Sequence, residues 1–181
     1  MTDIGPDDGR VRAITSDDLE LVLAWRNHPE VSRYMLTQQE ITLDEHLLWY
    51  QQSFQDATRY LLVYERAGVA EGFVQFTGAC AGSAANWGFY TAPDSSRGTG
   101  KKLGRAALDF GFKTIGLHKI CGQALDFNNM SIRFHRALGF RQEGLLREQH
   151  LVGGSYRDLV CFGLLQSEWQ VQSQDETDGL S

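Results

Sequence analysis

The sequence predicts an α/β (α+β) fold: a mixed, mostly antiparallel central sheet of about seven strands flanked by about four helices. Three observations predict it. The chain has 181 residues, 42% hydrophobic and 22% charged, which suits one domain around one sizeable core. The apolar period alternates between that of a helix and that of a strand, in the order β-α-α-β-β-β-α-β-α-β-β. Three aromatic and β-branched runs in the middle are separated by glycine-bearing turns, the pattern of neighbouring antiparallel strands.

Each element has its own signal. "VRAIT" reads as a first strand, and "SDDLELVLAWRNH" as a short helix capped by Ser16, with Leu19, Val22, Leu23 and Trp25 as its apolar residues. "TLDEHLLWYQQSF" is a second helix with Thr42 as cap and Glu45 three residues on, expected to turn Leu47, Leu48 and Trp49 inward. "RYLLVYE", "AEGFVQFTGAC" and "ANWGFYTA" are the three strands. "GKKLGRAALDFGFKTIGL" carries a helical stripe of Leu103, Ala106, Ala107, Phe110 and Leu117. "KICGQALDF" returns to strand, and "NNMSIRFHRALGF" is a helix with Met130, Phe134 and Leu138 on one face, ended by Gly139. "RQEGLLREQHLV" and "SYRDLVCFGLLQ" form a hairpin across "GG". Residues 10–170 are expected to be the domain, with loose polar ends at 1–9 and 171–181.

Bulk charge removes several functions. The net charge of -6 offers no basic footprint for nucleic acid. The acidic N-terminus lacks an apolar leader core, and no apolar run approaches the ~18 residues of a membrane span, so a cytoplasmic protein without a membrane partner is expected. Cys80, Cys121 and Cys161 are far apart and odd in number, which predicts reduced, mostly buried thiols. His28, His46, His118, His135 and His150 do not fall at metal-ligand spacing, so no metal is expected.

The stretch "APDSSRGTGKKLG" carries the chemistry. A strand ends at Thr91, Pro93 begins a turn, and glycines open a helix. That arrangement aims unpaired backbone N–H groups and the positive end of a helix at one point, which attracts an anion. Gly98 and Gly100 let a phosphate approach the backbone while Arg97 and Lys101 supply charge. Neither the nucleotide-triphosphatase loop nor the three glycines of a dinucleotide-binding turn is present.

On these residues the chain resembles the GNAT superfamily of acyl-CoA-dependent N-acetyltransferases over nearly all of 10–170. The family's loop runs Gln or Arg, two residues, glycine, one residue, then Gly or Ala; "RGTGKK" matches at Arg97 and Gly100, with Lys102 in the last place. A second family feature, "N-x-x-S" before a helix ending in "GF", is present as Asn128, Ser131, Gly139 and Phe140. The resemblance implies that the backbone of Phe89, Tyr90 and Thr91 runs beside the pantetheine of acetyl-CoA. It implies that Arg97, Gly98, Thr99, Gly100, Lys101 and Lys102 hold the pyrophosphate, and that Asn128 and Ser131 touch the thiol half. "WRNHPEVSRYM", "GFRQEGLLRE" and "GSYRDLVCFGLLQSEW" are most similar to the branch containing Rim-type ribosomal-protein N-terminal, spermidine and pseudaminic-acid-pathway acetyltransferases. Arg26, Asn27, His46, Trp49 and Trp87 are the expected acceptor contacts, leaning towards a sugar-nucleotide amine; a protein N-terminus or a polyamine is the alternative. A non-catalytic acyl-CoA-binding regulator is the reading from another class.

Acetyl transfer from a thioester needs a neutral amine, a held oxyanion and a fate for the thiolate. His135 stands where many family members have a tyrosine, and is the expected general acid, with Ser131 one turn earlier sharing the task. The base stays open among Glu30, Glu40, His46, Glu143, Glu148 and His150. Cys121 invites an acyl-cysteine route, but direct transfer in a ternary complex is the family's habit. The protein is expected to be a monomer or homodimer, the terminal hairpin being a possible pairing surface.

Overall fold

A computed structural model describes residues 9–171. The loose ends expected at 1–9 and 171–181 lie outside the described residues, apart from residues 9 and 171 themselves. Seven strands form one sheet in the order β1-β2-β3-β4-β5-β7-β6. They are β1 (Arg10–Ala13), β2 (Tyr60–Arg66), β3 (Val69–Thr77), β4 (Ala84–Thr91), β5 (Lys119–Leu125), β6 (Arg141–Val152) and β7 (Ser155–Leu165). Every neighbouring pair is antiparallel except β4 with β5. The helices are α1 (Leu19–Asn27), α2 (Pro29–Ser32), α3 (Leu43–Phe54), α4 (Thr99–Asp109), α5 (Asn129–Ala137) and a last one, α6, over residues 166–171. The short α2 and the terminal α6 are two more helices than the sequence predicts.

Alternation along the strands splits the core into two clusters, one on each face. Leu62, Tyr64, Val74, Phe76, Ala85, Trp87, Ile120 and Phe162 face α4 and α5, and pack on Leu103, Ala107, Leu108 and Leu138. Leu61, Val63 and Phe73 face the other way, onto Leu19, Val22 and Trp25 of α1. Trp49 and Tyr50 of α3 close that second cluster. Helices α1 and α3 cover the β1–β3 side of that face and reach β4 only at its end, through Tyr90, so neither covers β5 or β7.

Several local expectations change. The first helix begins with a tight turn, Ser16–Asp18, capped by Thr15 and not Ser16. Thr15 and Asp18 form a reciprocal capping box, and Asp18 is tied down by a two-pronged ion pair with Arg12 at 2.7 and 2.8 Å. Thr42 and Glu45 do cap α3 as predicted. Its inward residues, however, are His46 and Ser53, while Leu47 and Leu48 are exposed. The helix is apolar on so many sides that its own pattern cannot fix its rotation; the gap beside α1 does. Helix α4 widens into a π-helical segment, Phe110–Ile115, whose Phe112 carbonyl accepts from the Gln166 side chain at 3.2 Å. Leu117 therefore packs from the turn beyond, not from the helix. Met130 shares a face with Phe134 and Leu138 but sits at the open end of α5, 71% exposed. Cys80 is exposed, and Cys121 and Cys161 are half-buried, so the expectation of mostly buried thiols fails; all three are free.

Candidate active site

Strands β4 and β5 run side by side only from Ala84 opposite Lys119 to Asn86 opposite Cys121. Beyond that point β4 stays paired with β3 through Thr91, and β5 with β7 through Leu125. The two strands part, and a cleft of about 580 Å³ opens between them. Trp87, Gly88, Phe89, Tyr90 and Thr91 form one wall, and Gln123, Ala124, Leu125 and Asn128 the other.

At one end lies the start of α4. Gly98 has φ 93°, a conformation strained for any residue with a Cβ, and it turns the chain into the helix. The first helical bond runs from the Lys102 N–H to the Gly98 carbonyl, and the Thr99 N–H bonds back to Ser96 at 3.1 Å. The N–H groups of Gly100 and Lys101 fall before the first full turn closes and have no partner within the helix. Gly100 lines the cleft, and a Cβ there would meet nothing nearer than Thr91 Cγ2 at 3.8 Å. The chain's own packing does not demand that glycine, which leaves its bareness to serve whatever approaches the N–H groups. Arg97 and Lys101 are exposed beside them and Lys102 half-buried, whereas the Thr99 side chain is buried, its hydroxyl 3.2 Å from that of Ser96. With its N–H and its hydroxyl both turned to Ser96, Thr99 shapes the turn and leaves the donating to Gly100 and Lys101.

The β4 side chains explain why the strand presents its backbone. Phe89 turns into the core, its ring 4.6 Å from that of Phe134. Tyr90 turns the other way and gives its hydroxyl to the Val22 carbonyl at 3.4 Å; burial holds its pKa far above the usual range. What remains towards β5 is the main-chain edge of residues 87–91, with no strand to pair it.

Asn128 and Ser131 lie at the start of α5, on the cleft. The Asn128 side-chain oxygen, Oδ1, accepts from the Ser131 N–H at 3.0 Å, so that side chain caps the helix. His135 follows one turn later and is only 1% exposed. Its Nδ1 donates to the Ser131 carbonyl at 2.8 Å, and its Nε2 accepts from the Trp87 indole N–H at 3.1 Å. Both nitrogens are therefore committed in the neutral ring. Burial lowers its pKa from 6.5 to about 4, the Ser131 bond opposing in the other direction. The expectation that His135 is the general acid does not fit: at neutral pH its single proton points at a backbone carbonyl.

The expected acceptor contacts divide. Arg26 and Trp87 line the cleft. Arg26 donates through one nitrogen to the Thr37 carbonyl, and burial lowers its pKa. Asn27, His46 and Trp49 are not among the lining residues. Asn27 clamps the backbone of Ile41 through both ends of its amide, at 2.8 and 2.9 Å. His46 is buried beneath α1, stacked on Trp49 with ring centroids 5.0 Å apart, and Trp49 in turn edges onto Phe73. Asn27 thus ties α1 to the loop that enters α3, and His46 with Trp49 seats α3 on α1 and on Phe73 of the sheet. Of the base candidates, Glu30 alone lines the cleft; Glu143 pairs with Lys119 at 2.7 Å, on the far side of β5.

The sequence reading missed the cleft's floor. Gln75 and Thr77 of β3, Asn86 and Gly88 of β4, and Cys121 and Gln123 of β5 share the uncovered face of the sheet and line the cleft together. Alternation could have shown that they share a face, since each strand puts polar residues at every second position. Only the missing helix makes that face an opening.

Residues 10–141 match the acetyltransferase (GNAT) domain family. The chain belongs to that family, the class of acetyl-CoA-dependent N-acetyltransferases, and no helix among the described residues is long and apolar enough to cross a membrane. It is 35% identical over 88 residues to the SPbeta prophage-derived uncharacterized N-acetyltransferase YokL of Bacillus subtilis, a stretch covering 47% of this chain and 50% of that one. It is 24% identical to acetyltransferase PseH of Campylobacter jejuni, over 68% of this chain and 76% of the relative. Among solved structures, spermidine N-acetyltransferase from Vibrio cholerae in complex with CoA and spermine superposes with a TM-score of 0.84 at 25% identity, covering 90% of this chain and 98% of that one.

Proposed function

We propose that the protein transfers the acetyl group of acetyl-CoA directly to a primary amine carried on a hydrogen-bonding acceptor, a sugar-nucleotide amine, with both substrates in one cleft. The observation that carries this acceptor is the floor: Gln75, Thr77, Asn86 and Gln123 offer amides and a hydroxyl, and Glu30 is the one carboxylate among the lining residues described. Amides exchange donors and acceptors with hydroxyl and carbonyl groups, whereas a polycation calls for several carboxylates. Arg26 lines the same space, suited to an anionic portion of the acceptor, and Arg33 stacks at 4.6 Å over Tyr34, itself a lining residue. A polyamine is the second reading, favoured by Glu30 at the rim and by the likeness to the spermidine enzyme.

In this reading the N–H groups of Gly100 and Lys101, with Arg97, Lys101 and Lys102 nearby, hold the pyrophosphate of acetyl-CoA. The free edge of Phe89, Tyr90 and Thr91 pairs with the amides of the pantetheine arm and supplies N–H groups to the thioester oxygen as it gains charge. The departing group is a thiolate, a far weaker base than an alkoxide or an amide, and needs little help to leave at neutral pH. The positive start of α5, with Asn128 and the Ser131 hydroxyl, supports it. Glu30 receives the amine's proton through water.

The test is thiol release from acetyl-CoA across a panel of amines. An amino-sugar nucleotide should give a kcat/KM at least tenfold above that of spermidine. Preference for spermidine would replace the acceptor by a polyamine, and CoA binding without turnover of any amine would make the protein a regulator.

A further inference from the structure

The point where β4 and β5 separate is occupied by one pair of side chains. Trp87 is the first β4 residue past the last registered pair, and Gly122 is the first on β5. The Trp87 indole N–H donates to His135 Nε2 directly over Gly122. A Cβ built on Gly122 would overlap His135 Nε2 and lie 2.7 Å from Trp87 Nε1. Glycine is thus required at the position where the bonded pair crosses β5.

The pair is fixed from every side. The His135 ring lies flat on Phe162 of β7, centroids 4.7 Å apart and planes 5° apart, and meets Phe140 edge-on at 5.0 Å. The Trp87 ring stacks on Phe140 at 5.1 Å and abuts Phe89 at 4.9 Å. The second nitrogen of His135 is anchored to its own helix through the Ser131 carbonyl. The Trp87–His135 hydrogen bond therefore ties β4 to α5 across the gap where two parallel strands would otherwise continue their ladder, and the stacking of His135 on Phe162 adds β7 to the tie.

We propose that the Trp87–His135 pair is the wedge that holds β4 and β5 apart, and that His135 is a positioning residue acting through Trp87. The inference rests on the reading that the parted strands receive acetyl-CoA. Filling the apex with two bonded rings keeps the edge of residues 87–91 from zipping onto β5. It also sets the distance between that edge and the Ser131 end of α5, the two walls between which the thioester end must fit. Loss of the bond should therefore appear as weaker cofactor binding, whereas loss of a proton donor would lower kcat at unchanged affinity.

Five proteins test this: wild type, Trp87→Phe, His135→Leu, the double variant, and His135→Gln as the conservative rescue, since its amide oxygen can accept from the indole. Calorimetric titration with CoA comes first. If folded wild type takes up none, the cofactor reading falls, and the wedge with it. If wild type binds, each single variant should bind CoA about tenfold more weakly, the loss of one buried hydrogen bond. The double variant should be no weaker than the worse single, and His135→Gln should recover most of the affinity. Unchanged affinity in Trp87→Phe, or losses that multiply in the double variant, would overturn the wedge. The same holds for a His135→Leu variant with lower kcat and wild-type affinity. Should the leucine variant fail to fold, the wild-type protein still decides. Its Trp87 indole N–H resonance must be shifted by an imidazole acceptor and slow to exchange with solvent; a freely exchanging indole contradicts the proposal.

Discussion

His135 can be charged only at the expense of the fold. In the native state its pKa is about 4, against 6.5 for the free side chain, because the buried ring has no anionic partner. Between those values the unfolded chain binds more protons than the folded one, so stability rises with pH across this window. The contribution is complete above 6.5 and is lost as pH falls towards 4, a change of up to about 3 kcal/mol. His46, also lowered by burial, shifts in the same direction. Asp18 behaves oppositely in origin: the Arg12 hydrogen bond lowers its carboxyl from 3.8 to about 2, so its stabilisation disappears only as pH falls through that lower range. Denaturant titrations at pH 7 and pH 4.5 should show wild type losing stability and His135→Gln losing markedly less. An equal loss in both would show that His135 is not the group responsible. The position of His135 could be read from its spacing to the "GF" that ends its helix. Its chemistry could not, because Phe162 and Trp87, which deny it solvent, come from strands distant in sequence.

Helix α4 separates what stability needs from what binding needs. Gly98 is fixed by its positive φ, but nothing in the protein crowds Gly100. Gly100→Ala should leave Tm unchanged or raise it, since alanine favours a helix by up to about 1 kcal/mol over glycine. The same methyl group occupies the space in front of the Gly100 and Lys101 N–H groups, and CoA affinity should fall about tenfold. A scanning-calorimetry melt and a binding titration on one preparation check both halves; a lower Tm with unaltered affinity would mean the glycine serves folding. This loop was legible because glycines beside a proline-bearing turn act locally. The Thr42 and Glu45 cap of α3 was legible for the same reason. The rotation of α3 was not: Leu43, Leu47, Leu48, Trp49, Tyr50 and Phe54 spread around the helix, and contact with α1 and Phe73 chooses which of them turns inward. Asn27, His46 and Trp49 carry the same lesson, polar and aromatic residues that resemble a binding set and instead fasten α1 and α3 to each other and, through Trp49, to the sheet.

Across the whole molecule, function follows from incomplete coverage. Helices α4 and α5 cover one face of the sheet, α1 and α3 only part of the other, and the change from antiparallel to parallel pairing at β4 and β5 opens a gap reaching both. The order of elements along the chain was readable from periodicity. The adjacency of β2, β3 and β4 and the β6–β7 hairpin were readable too, from the short glycine-bearing turns that join them. The parallel pairing of β4 with β5 and the insertion of β7 between β5 and β6 were not, because no local pattern records a pairing between strands distant in sequence. The polar floor of Gln75, Thr77, Asn86 and Gln123 was hidden for that reason. The most direct measurement is calorimetric titration of CoA into the folded protein. Saturable uptake near one CoA per chain is the expected result, and a folded protein that gives no heat of binding at millimolar CoA would contradict it.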